Sequence, residues 1–232
     1  MLESREVTKV FGSKTAVDHV SLKLEAGHVY AMLGPNGSGK TTWMKMAAGL
    51  IKPTSGMVLY RDEPVGIESR RHVAYMSTEP YFYNWMTIKD VGAYYGDFFE
   101  DYSAARFREL LGRMELTETM KIRTLSSGMM AKLKIAVTMA RDAEVYMLDE
   151  PFNGIDLLAR DEIRASILQF ATEDKVMLLS SHLVEEMEAV ADRALFIREG
   201  RLVESVDLET MREEQGVSMA DRYRQIYGHM EV

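Results

Sequence analysis

The segment Gly34-Pro35-Asn36-Gly37-Ser38-Gly39-Lys40-Thr41-Thr42 leaves this chain few folds to choose from. It fits G-x-x-x-x-G-K-[ST], a spacing in which glycines open backbone angles closed to other residues, so that successive N–H groups converge on one anion. The apolar run His28-Val29-Tyr30-Ala31-Met32-Leu33 before it reads as a buried strand. Thr41 to Leu50 after it reads as a helix, whose N-terminal dipole adds to the anion site. A Gly-rich turn that merely carried a surface lysine would need neither flank. The order strand, loop, helix predicts an α/β fold with a nucleotide phosphate site built from Asn36, Gly37, Ser38, Gly39, Lys40, Thr41 and Thr42. In that site Lys40 meets the β and γ phosphates, and the Thr41 hydroxyl reaches a magnesium ion.

A second feature has the chemistry such a site needs. Glu144-Val145-Tyr146-Met147-Leu148-Asp149-Glu150-Pro151 reads as a buried parallel strand ending in two carboxylates. Open α/β sheets bind ligands at that end of their strands. One acid there can hold magnesium, and the other can position or deprotonate an attacking water. Lys175-Val176-Met177-Leu178-Leu179 is a further buried strand, followed by Ser180-Ser181-His182 and a helix opened by Leu183-Val184-Glu185-Glu186-Met187. His182 has two readings at this stage, a packing or capping residue, or a group reaching a γ-phosphate from the same edge of the sheet.

Other segments fill in the frame. Arg5–Val10 and His19–Leu24 read as strands joined by a turn over Phe11-Gly12-Ser13-Lys14-Thr15, and Phe11 either packs on the sheet edge or stacks on a base. Pro53-Thr54-Ser55-Gly56 marks a turn before a strand at Met57–Tyr60; Arg61–Arg70 is polar and turn-rich. His72–Met76 is a short strand ending in Ser77-Thr78-Glu79-Pro80, where Pro80 interrupts regular structure. From Tyr81 to Tyr102 aromatic residues crowd together (Tyr81, Phe82, Tyr83, Trp85, Tyr94, Tyr95, Phe98, Phe99, Tyr102). They read either as core or as a groove that grips a partner helix. Thr87 to Met120 has helical spacing, with Phe107, Leu110, Leu111 and Met114 on one face, so residues 81–143 form a helical lobe inserted into the core. Ser126 or Ser127 caps a helix from Met129 to Arg141. Ala194–Ile197 and Arg201–Ser205 form a hairpin, and Asp207 to Val232 reads as short helices or a mobile tail with little core material.

The net charge of −8 gives no electrostatic reason to expect nucleic acid as a partner. Without cysteine, disulfides and thiolate metal sites are excluded. No apolar run approaches the ~20 residues that span a bilayer, and the charged N-terminus lacks a signal-peptide core. The chain is expected to be soluble, with any membrane role reached through a partner.

In this order, the phosphate loop, helical insertion, Leu125-Ser126-Ser127-Gly128-Met129, Asp149-Glu150 and His182 closely resemble the ATP-binding-cassette ATPases, over roughly residues 3 to 205. The resemblance implies a RecA-like phosphate-loop NTPase core at 1–80 and 144–205, mainly parallel with an antiparallel β subdomain, an inserted helical subdomain at 81–143, and a C-terminal tail at 206–232. It implies ATP and Mg2+ as ligands and makes Phe11 the adenine-stacking aromatic. By the same resemblance Asp149 is the magnesium aspartate, Glu150 the catalytic carboxylate, His182 the switch histidine and Asp156 the subunit-communication aspartate. Ser126, Ser127, Gly128 and Met129 form the signature, which in that family completes the γ-phosphate site of a facing cassette. The implied partners are therefore a second cassette, identical or different, and an integral membrane subunit at the cytoplasmic face of the membrane.

Three departures stand out. The family's glutamine between core and helical lobe falls near Thr78, where Glu79 is the candidate to take over as magnesium or water contact. Ser127 replaces the first signature glycine and keeps its backbone contacts only if its angles lie in an ordinary region. Met129 replaces the signature glutamine. The form Leu-Ser-x-Gly-Met-x-x-Lys-Leu over Leu125 to Leu133 is similar to cassettes of two-component bacterial exporters, as is the lack of an added regulatory domain after residue 205. In such systems a short helix of the membrane subunit docks between core and helical lobe, where the Tyr81–Tyr102 aromatics are expected. The alternatives are an importer cassette, or a cassette acting on DNA or ribosomes; the latter usually brings a second cassette, coiled coils or basic arms.

Overall fold

The computed structural model describes residues 1–79 and 81–228, with backbone alone for 157–159. Pro80 and the last four positions of the expected tail lie outside the described residues. In chain order the elements are β1 (Leu2–Phe11), β2 (Lys14–Leu24), β3 (His28–Leu33), α1 (Lys40–Ala47), β4 (Ser55–Tyr60), β5 (Glu63–Pro64), α2 (Ser69–His72) and β6 (Val73–Met76). Then come α3 (Ile88–Phe98), α4 (Ala104–Arg113), a 3-10 turn (Ile122–Thr124), α5 (Ser127–Met139), β7 (Val145–Asp149), α6 (Leu157–Phe170) and β8 (Val176–Ser181). The chain closes with α7 (Val184–Glu188), β9 (Arg193–Arg198), β10 (Arg201–Asp207), α8 (Leu208–Gln215) and α9 (Met219–Tyr227).

Two sheets result. An antiparallel one runs β2-β1-β4-β5, and a six-stranded one runs β10-β9-β3-β8-β7-β6, parallel except for the β9–β10 hairpin. The inner strands β3, β7 and β8 of the larger sheet are apolar on both faces because each face meets its own core. Tyr30, Met32, Val145, Met147, Val176 and Leu178 point towards α1 and the antiparallel sheet. Their alternates Ala31, Leu33, Tyr146, Leu148, Met177 and Leu179 point towards the helical lobe and the C-terminal helices. Trp43 of α1 fills the first core, fully buried, with its indole N–H donating to Ser4 Oγ at 3.2 Å. Truncating a buried tryptophan to alanine costs about 3–5 kcal/mol.

The helical lobe lies within 81–143, as α3, α4 and α5. Phe107, Leu110, Leu111 and Met114 are buried along one face, as their spacing predicts. Thr87 and Asp90 cap α3 reciprocally, and Ser103 caps α4. The crowded aromatics divide. Phe82, Tyr95 and Tyr102 pack on the core, whereas Tyr83, Trp85, Tyr94 and Phe98 remain exposed, Trp85 by 71%.

Two stretches differ from expectation. No element was expected between Asp156 and Lys175, yet α6 forms there, burying Ile163 and Ile167 one turn apart. The residues after Asp207, expected to hold little core material, form α8 and α9 and bury Leu208, Met211, Met219 and Tyr227. Their apolar residues are sparse but regularly spaced, so a charged composition hides a narrow buried stripe. Caps from Asp207 and Ser218 start both helices.

Candidate active site

The register of the parallel strands gathers the chemistry on one edge. Leu33 pairs with Ser181, and Ser180 with Asp149, so the segments leaving β3, β7 and β8 emerge side by side at their C-terminal ends. They border a cavity of about 450 Å³ lined by Phe11, Lys14, Ala16, the loop from Asn36 to Thr42, Thr78, Glu150, Asn153 and His182. Its size falls within the range of small-molecule sites.

The loop is shaped to receive phosphate. Gly39 precedes α1 at φ 109°, and a Cβ there would sit 2.5 Å from the Ala16 carbonyl, so no other residue serves. No side chain caps α1, which leaves first-turn N–H groups to be satisfied by a ligand. The Ser38 hydroxyl is buried without a hydrogen-bond partner, a polar group aimed at something the protein does not supply. The Lys40 ammonium, 5% exposed, donates to the carbonyls of Gly34 at 2.7 Å and Pro35 at 3.3 Å. Burial pushes its pKa down, while Glu150 and Asp149 pull it back up. A phosphate dianion would stabilise that cation.

The acids differ in their holding. Asp149 is fully buried, accepting from the Ser180 hydroxyl at 2.5 Å and the Tyr75 hydroxyl at 3.2 Å. Glu150 stands at φ 51°, a left-handed conformation that costs a non-glycine residue about 1–3 kcal/mol and is typical of functional positions. Its N–H donates to the Ser180 carbonyl at 3.2 Å and to Ser180 Oγ at 3.0 Å, so one serine anchors both acids. The Glu150 carboxylate lies 3.7 Å from Lys40 Nζ and 2.8 Å from His182 Nδ1. With Glu150 accepting, Nδ1 carries the proton and Nε2 is left for a ligand.

The sequence-predicted residues therefore fall into groups. Asn36, Gly37, Ser38, Gly39, Lys40, Thr41, Thr42, Glu150 and His182 share one cavity, and Phe11 stands half exposed at its mouth with Lys9 Nζ 5.0 Å from its ring centre. His182 and Phe11, each with two readings from the sequence, both lie on the cavity wall. Asp149 lies directly behind Glu150. Glu79 does not join them: its exposed carboxylate pairs with Lys45 at 3.2 Å, and Thr78 lines the cavity instead. Among the described residues no three His, Asp or Glu cluster as a metal site; Thr41 lines the cavity, and Asp149 ends the strand beside it.

The signature lies elsewhere. Ser126 caps α5, its Oγ accepting from the Met129 N–H at 3.2 Å, and neither Ser126, Ser127, Gly128 nor Met129 lines the cavity. Ser127 opens the helix in ordinary right-handed conformation, which needs no glycine. Gly128 abuts the Gly154 carbonyl, which a Cβ would approach to 3.2 Å. Asp156, exposed beside this contact, accepts from the Arg160 N–H at 3.2 Å through its carbonyl. Sequence reasoning gave no role to Ser180, Tyr75 or Asn153. A hydroxyl at a strand's C-terminal end is the only signal that could have drawn attention to Ser180.

Fold and cavity together define a phosphate-loop nucleotide-binding protein. The family described as "ABC transporter" matches residues 17–153, and the chain belongs to it. It is 33% identical over 218 residues to the uncharacterized ABC transporter ATP-binding protein YcbN of Bacillus subtilis (strain 168), covering 91% of this chain and 71% of that one. It is 31% identical over 209 residues to the lantibiotic transport ATP-binding protein SrtF of Streptococcus pyogenes, covering 88% and 89%. A solved structure described as the ATP binding subunit of an ABC transporter superposes with a TM-score of 0.87 at 24% identity, over 97% of this chain and 99% of the other. The chain is thus an ATP-binding, ATP-hydrolysing cassette.

Proposed function

We propose that this chain powers export through a separate integral membrane subunit, working as one of two cassettes that close on two ATP molecules. The observation that carries the reading is the separation of the signature from the cavity. Ser126 to Met129 form a small-residue helix N-terminus suited to phosphate, yet lie outside their own nucleotide site. A facing cassette would bring its γ-phosphate to them. Nod factor export, named for a Burkholderia lata relative 33% identical over 210 residues, supports export over import. No helix among the described residues is long and apolar enough to cross a membrane, in keeping with a peripheral subunit held at the cytoplasmic face by its partner. The exposed aromatics Tyr83, Trp85, Tyr94 and Phe98 suit docking of a membrane-subunit helix.

In the reaction, loop N–H groups, Ser38 and Lys40 bind the β and γ phosphates, and Phe11 stacks on adenine. Thr41 and Asp149 would hold a magnesium ion, which would supply charge neutralisation to the phosphates. Glu150 orients a water on the γ-phosphorus and accepts its proton as the bond to the β-phosphate oxygen breaks. His182 holds the Glu150 carboxylate through Nδ1 and offers Nε2 to the γ-phosphate. Charge on the leaving oxygen develops against donors already in place. Asp156, next to the signature contact at Gly154, carries the message between cassettes.

Glu150→Gln keeps the shape and removes the base. Its kcat should fall about 10²–10⁴-fold, the usual contribution of a general base, and an ATP-bound dimer should accumulate on size-exclusion chromatography. Undiminished steady-state hydrolysis would sink the assignment. Recovery of an integral membrane protein with this chain from solubilised membranes tests the transport reading, and nucleic-acid-stimulated turnover without such a partner would replace it.

A further inference from the structure

Lys134 lies two turns into α5, the helix whose first turn carries Ser127, Gly128 and Met129. It is 6% exposed, with its ammonium 5.5 Å from the centre of the Tyr81 ring. Removing an ammonium from water is costly unless bonds and opposite charge replace the lost hydration. Here Nζ donates to the Thr78 carbonyl at 2.6 Å and the Ser77 carbonyl at 3.0 Å. Burial lowers its pKa, opposed by the negative charges of Asp149 and Glu79.

What the lysine holds gives it significance. Thr78 lines the phosphate cavity, and the adjoining Glu79 is held by Lys45 of α1, the helix opened by the phosphate loop. Ser77 to Glu79 are therefore bonded to two helices, firmly through Lys134 and through an exposed ion pair to Lys45. One carries this chain's phosphate loop, and the other presents the signature. A methionine would fill the same space without the desolvation, so tight packing alone does not call for a cation.

We propose that Lys134 is a positioning residue for ATP hydrolysis, tying the wall of this chain's own phosphate cavity at Thr78 to the helix that presents the signature to the facing cassette. Nucleotide entering the cavity displaces or stiffens Ser77-Thr78, and Lys134 passes that to α5 without any contact to the nucleotide. The inference rests on the reading that two cassettes close on ATP.

Lys134→Met keeps the stem and removes the donors. Because the phosphate loop is untouched, KM for ATP should stay within about twofold while kcat falls about tenfold, a coupling of ordinary size. In the Glu150→Gln background the same change should weaken the ATP-dependent dimer about tenfold, with the melting temperature of the nucleotide-free protein unchanged. Unchanged kcat and dimerisation overturn the proposal, as does a loss in which kcat, KM and melting temperature move together. Amide exchange on the unmutated protein gives a second route. ATP with magnesium, at protein concentrations too low for dimers, should alter protection in residues 77–79 and in α5 together, and a response in 77–79 alone overturns the coupling. If the Glu150→Gln parent forms no ATP-dependent dimer, the two-cassette reading falls, and this inference with it. A dimer in the parent with no effect of Lys134→Met removes only the role of Lys134.

Discussion

Two helix N-termini in this molecule, those of α1 and α5, are finished in opposite ways. At α1 the preceding residue is Gly39 in left-handed conformation, no side chain caps the helix, and the flanking Ser38 and Lys40 are buried. At α5 the preceding residue is Ser126, its hydroxyl closes the first turn on Met129, and Ser126 and Ser127 are exposed. The first end is incomplete without a ligand and enclosed by its own chain. The second is satisfied as it stands and faces outwards. Burial together with capping separates a helix end that needs a ligand within its own chain from one that does not.

The largest expected effect is at the enclosed end. Lys40→Met removes the buried cation that meets the phosphates, and ATP affinity should fall at least about 100-fold, in line with loss of a charged contact in a dry site. Equilibrium binding with a fluorescent ATP analogue measures this, and near-normal affinity would mean that α1 is no more a phosphate site than α5.

The brace behind that end comes next. The Tyr227 hydroxyl lies 3.1 Å from the Leu33 carbonyl, at the last residue before the phosphate loop, and 2.9 Å from the Ile197 carbonyl. Its ring packs on Tyr223 at 4.3 Å. Tyr227→Phe leaves both carbonyls without this donor and should cost about 1–2 kcal/mol in urea denaturation. An unchanged midpoint would show that α9 adds nothing to the loop's foundation.

The smallest effect falls on the open end. Ser126→Ala should cost about 1 kcal/mol through loss of the cap. It should leave ATP affinity of the isolated chain unaltered while lowering turnover under conditions where dimers form. If monomer affinity fell instead, the signature would belong to its own cavity and the contrast between the two helix ends would collapse.

How much of this was readable from residues alone depended on the range of the interactions. The strand His28–Leu33 has the same ends in the structure as in the sequence reading, because its apolar run is bounded by a glycine on either side. The acids of β7 and the phosphate loop were legible because their chemistry is carried by adjacent residues. The helix α6 was not, since its buried Ile163 and Ile167 lie in a polar segment that lacks a strong periodic face. Glu79 was expected near the magnesium site because it adjoins Thr78. Its side chain turned instead to Lys45, a choice made by where α1 places that ammonium.

Local order marked most of the strands, the phosphate loop, the acid pair and the signature sequence, because each is written in neighbouring residues with its own periodicity or turn chemistry. Tertiary structure alone settled which of these share a cavity. Strand register set Ser180 beside Asp149, the Glu150 backbone was held in left-handed conformation by that serine, and Lys134 reached Thr78 across a separation of 56 residues. It also turned a charged tail into a brace for the loop from Gly34 to Thr42. Such contacts join residues far apart in the chain, and their geometry exists only once the sheet has set the strands in order.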